Sequence, residues 1–79
     1  MLDFSKHALE QMEARGIERD IVENSISRPD QILKEEGNTV YQSVLADKKH
    51  LIRVFVNDKN RVITVYKTSK IRKYYEGKI

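Results

Sequence analysis

The run from Arg61 to Thr68, RVITVYKT, constrains this chain more than any other stretch. Val62, Ile63 and Thr64 are three β-branched residues in succession, and Val65 and Tyr66 follow. Branching at Cβ crowds a helical turn but packs well on a pleated surface, so the run predicts a central β-strand. It ends in cations, hydroxyls and tyrosines: Lys67, Thr68, Ser69, Lys70, Arg72, Lys73, Tyr74 and Tyr75. A packed strand thus feeds its chain into a basic, aromatic segment, and function is expected near this strand and its exit.

The earlier chain supplies what such a strand packs against. Ser5 is placed to cap a helix over residues 5–15 and Gly16 to end it in the left-handed conformation. Phe4, Ala8, Leu9 and Met12 form its apolar stripe, which His7, Gln11 and Arg15 border from one position further round. A second helix is expected over 18–27, with Ile21, Val22 and Ile26 on one face and Pro29 as its stop. Strands are expected over 31–36, 39–46, 50–57 and 61–68, with a turn at Gly37 and Asn38, and a basic segment occupies 69–79. Connections this short make neighbouring strands antiparallel. The expectation is one α+β domain, two N-terminal helices packed on one face of a four-stranded antiparallel sheet.

A two-residue turn at Asp58 and Lys59 would set Val54 opposite Ile63, Ile52 opposite Val65 and Arg53 opposite Thr64. A three-residue loop including Asn60 would mix apolar with polar positions, so the pattern favours the tighter turn. One face then holds Ile52, Val54, Val56, Ile63 and Val65 under the helices, and the other presents Arg53, Thr64 and Tyr66. In the preceding hairpin either Gln42 or Ser43 lies beside Arg53.

With 79 residues the chain is near the lower size for a self-sufficient core, so a homodimer or a protein partner is a natural source of further stability. It has no cysteine, and no apolar run approaches the roughly 20 residues that span a bilayer. The start alternates apolar and charged residues, unlike a signal peptide, which makes a cytoplasmic protein without membrane contact the default. Two distant histidines make no metal site and three scattered glycines no phosphate loop, so neither metal nor cofactor is expected. The net charge of +3 is unevenly spread: residues 1–36 hold five Lys/Arg and nine Asp/Glu, giving −4, whereas residues 37–79 hold ten and three, giving +7. A basic half points to an anionic partner, with RNA foremost, although lysines at 48, 49 and 59 also suit ordinary edge and turn charges.

Three groups of residues could carry chemistry. Arg53, Thr64 and Tyr66 could hold a phosphodiester and stack a base, yet the same types make an ordinary solvated sheet face. His7 brings an imidazole that could take a 2′-hydroxyl proton while Arg15, two turns along, approaches the same phosphate. A packing or hydrogen-bonding role is the commoner fate of one helix-flank histidine. Lys67, Lys70, Arg72, Lys73 and Tyr74 could neutralise and stack on a strand of RNA, or could be a short amphipathic turn whose Ile71 and one tyrosine dock while the cations stay wet.

His7-Ala8, Arg15-Gly16-Ile17, Pro29-Asp30 and the strand Val62 to Tyr66 together resemble a family of short bacterial proteins of unknown function, which looks like a branch of the RelE-like, barnase-related toxin fold. The ending from Lys70 to Glu76 is similar to that of BrnT-type toxins. The resemblance implies a RelE-like toxin-type protein, a metal-independent ribonuclease with an antitoxin-like partner. It nominates His7, Arg15, Thr64 and Tyr66, and the register adds Arg53: His7 as general base, Arg53 and Arg15 as phosphate clamps, Tyr66 as positioner. Gln11 stands where that family often has arginine, which weakens the catalytic expectation. A non-catalytic module that binds nucleic acid or protein is the alternative.

Overall fold

The computed structural model of the protein describes residues 2–77. In chain order its elements are β1 (Asp3–Phe4), α1 (Lys6–Arg15), α2 (Arg19–Ser27), β2 (Gln31–Glu35), β3 (Asn38–Val44), β4 (Leu51–Val56), β5 (Arg61–Thr68) and α3 (Ile71–Tyr74). The fold is α+β: among the described residues, three helices and a five-stranded mixed sheet ordered β1-β5-β4-β3-β2. Four antiparallel strands therefore undercount the sheet. Asp3 and Phe4 pair in parallel with Arg61 and Val62, so Phe4 belongs to a strand and not to the stripe of α1.

Local chemistry explains the helix ends. The Ser5 hydroxyl accepts the Ala8 N–H at 3.1 Å, closing the start of α1. At the other end Gly16 takes φ +64°, and the N–H groups of Gly16 and Ile17 reach back to Glu13 and Met12 carbonyls. Both helices pack on one sheet face, α1 chiefly against β5 and α2 against β3 and β4. Phe4, Ala8, Met12, Ile17 and Val22 meet Ile52, Val54, Val56, Val62 and Val65 in the main core. Leu9 and Ile21, expected on the buried stripes, are 47% and 36% exposed.

The β4–β5 hairpin differs from the expected two-residue turn. Asn57 bonds Asn60 and Arg61 through backbone groups, and Asn60 takes φ +61°, so the loop is three residues, Asp58 to Asn60. The Asn57 side chain accepts the N–H groups of Lys59 and Arg61 and holds this turn. A β-bulge at Phe55 and Val56 then shifts the register once more. Two one-residue shifts restore the alternation, so Arg53 and Tyr66 still share a face but stand directly opposite each other, while Thr64 faces Phe55 and Val54 faces Val65. The bulge also puts Val62, and not Ile63, in the core. In the β2–β3 hairpin the turn falls one residue earlier than expected, at Glu36 and Gly37, whose φ values of +51° and +83° both lie in the left-handed region.

Beyond β1, the Ser5 cap and one side chain of α1 cover the outer edge of β5. Ser5 donates to the Ile63 carbonyl at 3.3 Å, and Gln11 accepts the Val65 N–H at 3.0 Å. Gln11 thus has a structural task in this chain: it satisfies an edge amide that no neighbouring strand reaches.

A candidate nucleic-acid interface

The sheet face away from α1 and α2 is organised by a row of polar residues crossing four strands. Gln31 stands opposite Gln42, Gln42 opposite Arg53, and Arg53 opposite Tyr66, which settles the neighbour of Arg53 as Gln42. Gln42 is fully buried and Arg53 only 2% exposed, so each polar atom needs a partner. Arg53 donates from Nε to Gln42 Oε1 at 2.9 Å, from Nη1 to the Tyr66 hydroxyl at 2.7 Å, and from Nη2 to the Glu35 carboxylate. Its guanidinium also lies 4.5 Å from the Tyr74 ring centroid. Burial opposes the charge on Arg53, yet the Tyr66 hydroxyl and the Glu35 carboxylate more than offset it and raise the pKa.

This row holds the C-terminal segment in place. Gln42 Nε2 donates to Gln31 Oε1 at 2.7 Å and to the Tyr74 carbonyl at 3.0 Å. Gln31 accepts the Glu76 N–H at 2.9 Å and donates to the Glu76 carbonyl, as a neighbouring strand would. The Tyr74 ring meets Tyr66 edge-on at 6.2 Å, and Phe55 stacks on Tyr66 at 6.0 Å. The face is therefore covered, not open: Val40 and Leu51, which point the same way as Arg53, are fully buried.

Docking α3 brings its cations beside the β3–β4 loop. Lys48 and Lys49 from that loop and Ser69, Lys70, Ile71, Arg72 and Lys73 line one open cleft of about 600 Å³. None of its five cations makes an ion pair among the described residues. The loop is itself fixed. Asp47 accepts the N–H groups of Lys49 and His50 at 2.8 and 3.1 Å and contacts His50 Nδ1 at 2.7 Å. The Lys49 N–H first, and then the His50 side chain, lower the Asp47 pKa. Both lysines read in the sequence as turn charges; only the return of the tail, 45 residues on from Gln31 to Glu76, makes them part of a shared surface.

The expected site residues separate into four places. Arg53, Tyr66 and Tyr74 meet, with Thr64 on the same face opposite Phe55. Lys70, Arg72 and Lys73 line the cleft, whereas Lys67 stands opposite Ile52, on the helix-bearing face. His7 and Arg15 are exposed on α1, one turn either side of Gln11 and so on the flank that Gln11 turns to the β5 edge. No group of His, Cys, Asp and Glu among the described residues could hold a metal. Among them too, no helix is long and apolar enough to cross a membrane. The two tyrosines of the cluster are pushed apart. Burial raises the Tyr66 pKa against the pull of Arg53, whereas hydrogen bonding to Tyr66, then the nearness of Lys73 and Arg53, lowers that of Tyr74.

No curated protein and no solved structure matches the chain. One family does, over residues 4–67, from β1 to nearly the end of β5. The chain belongs to that family, described as a domain of unknown function, DUF4258.

Proposed function

We propose that this chain is an RNA-binding protein of RelE-like, toxin-type character, which takes the phosphate backbone of RNA in the cleft beside α3. The cleft carries this reading: Lys48, Lys49, Lys70, Arg72 and Lys73 converge on it, and among the described residues no acidic side chain lines it. Fixed cations bind nucleic acid by releasing its counterions, so affinity for a single strand falls with salt by about 0.7 log unit per log unit for each phosphate neutralised. Titrating a fluorescent single-stranded RNA at several salt concentrations tests it. Replacing Lys70, Arg72 and Lys73 with alanine flattens the slope by up to about two, while replacing Arg19 and Arg28 changes it little. An unchanged slope in the triple variant rules the cleft out.

Arg53 bears on catalysis. Its three donor nitrogens are bound to Gln42, Tyr66 and Glu35, so it acts as a framework residue and not as a free phosphate clamp. This favours binding without cleavage by the Arg53 cluster. A metal-independent ribonuclease is the second reading, favoured by the exposure of His7 on the same α1 flank as Arg15. Cleavage of RNA in EDTA that drops by roughly two decades in His7→Ala supports it; equal rates remove His7 from any mechanism. Toxicity on expression, relieved by an adjacent antitoxin-like gene product, belongs to the toxin-type reading, and harmless expression speaks for a plain binding module.

A further inference from the structure

We infer that the cleft is matched to a compact polyphosphate, the triphosphate of a nucleotide or of an RNA 5′ end, in preference to a run of internal phosphodiesters. The inference rests on the cleft being the anion site. Its first support is charge density. Five cations border a space of about 600 Å³, which corresponds to about 8 Å on a side. Even a stacked strand places one charge per roughly 3.4 Å of its axis, so a length of about 8 Å supplies two phosphodiesters or so, with one charge each. A triphosphate concentrates about four charges in the same space, since a terminal phosphate carries close to two at neutral pH.

The second support is that the backbone segments carrying the cations are fixed. Lys70, Arg72 and Lys73 sit on or beside α3, which Arg53 holds through the Tyr74 ring, Gln42 through the Tyr74 carbonyl and Gln31 through both backbone groups of Glu76. Lys48 and Lys49 sit on a turn that the Asp47 carboxylate closes. Two anchored walls therefore face one gap, and their mutual repulsion is relieved best by a ligand that brings several charges at once. The Ser69 hydroxyl adds a neutral donor to the lining.

Binding is measured for inorganic phosphate, inorganic triphosphate, adenosine triphosphate and one short RNA carrying either a 5′-hydroxyl or a 5′-triphosphate. We expect triphosphate to bind roughly tenfold or more tighter than phosphate, and the 5′-triphosphate RNA to exceed its 5′-hydroxyl form by a similar factor, the effect of a few additional exposed ion pairs. Adenosine triphosphate equal to inorganic triphosphate assigns the free nucleotide as sufficient; 5′-triphosphate RNA tighter than both assigns the RNA end. The variant Lys48→Ala/Lys49→Ala, altered in a turn whose Asp47 cap is kept, should lose the preference while remaining folded. Equal binding of the two RNAs, with inorganic triphosphate no better than phosphate, overturns the polyphosphate inference and leaves RNA binding standing. No binding of either RNA, with inorganic triphosphate again no tighter than phosphate, overturns both.

Discussion

Replacing Arg53 with alanine should destabilise the fold severely. The residue is 2% exposed, and its removal strands the Gln42 side-chain oxygen, which is fully buried. A buried acceptor without a donor costs about 1–3 kcal/mol. The Tyr66 hydroxyl can turn to another partner and the Glu35 side chain, 41% exposed, can be solvated, so neither adds its full desolvation penalty. Loss of the guanidinium from beside Tyr74 and Phe55 adds a packing term, which brings the total to about 2–4 kcal/mol. At 79 residues the whole stability is of order 4–12 kcal/mol. The midpoint of thermal unfolding should then fall by about 10–30 °C. Arg53→Lys keeps the charge but not the fork and should fall in between. Thermal unfolding followed by circular dichroism gives the number, and RNA affinity measured well below the midpoint gives the functional consequence. A midpoint for Arg53→Ala within about 3 °C of wild type would refute this account of the buried row.

Gln11→Ala should cost about 1–2 kcal/mol by leaving the Val65 N–H without its acceptor, with the loss appearing in urea midpoints and in faster amide exchange at Val65. Among the tyrosines, Tyr74 should ionise below the ordinary phenol value and Tyr66 above it, so an ultraviolet titration of Tyr74→Phe loses the earliest step. The signs oppose in stability. Because the Tyr66 pKa is raised on folding, its contribution is complete below the unfolded value and fades as pH rises through the folded one; because that of Tyr74 is lowered, its contribution appears above the unfolded value. Tyr66→Phe should therefore make stability fall less steeply at alkaline pH.

The pattern of residues gives up α1, α2 and β2 to β5 because their signals are local: a β-branched run, a serine cap, a glycine at the C-terminal turn. Arg53 and Tyr66 share a face in the sequence as in the structure, but only because the extra loop residue and the bulge cancel. A two-residue strand such as Asp3–Phe4 has no periodicity to read, and its parallel partner lies some 58 residues away. The covered sheet face is hidden for a similar reason. Gln31 and Gln42 look like solvated strand residues, and nothing near them in sequence announces that their amides will bind the backbone of Tyr74 and Glu76. Exposure of Arg53, Thr64 and Tyr66 follows from alternation alone and misses what the tail does to that face.

The place of β5 in the sheet sets the order in which this protein can assemble. It lies between β1 and β4 and carries most of the packing of α1, so the first strand and first helix have no surface to settle on until the last strand has been made. A ribosome that has emitted only the first sixty residues holds two short amphipathic helices and an unfinished sheet, each too small to persist alone. Folding is then a late, concerted closure through distant contacts, slow for so small a chain. During synthesis the apolar faces of α1 and β4 stay uncovered, which makes the nascent chain a natural client for chaperones that shield such surfaces.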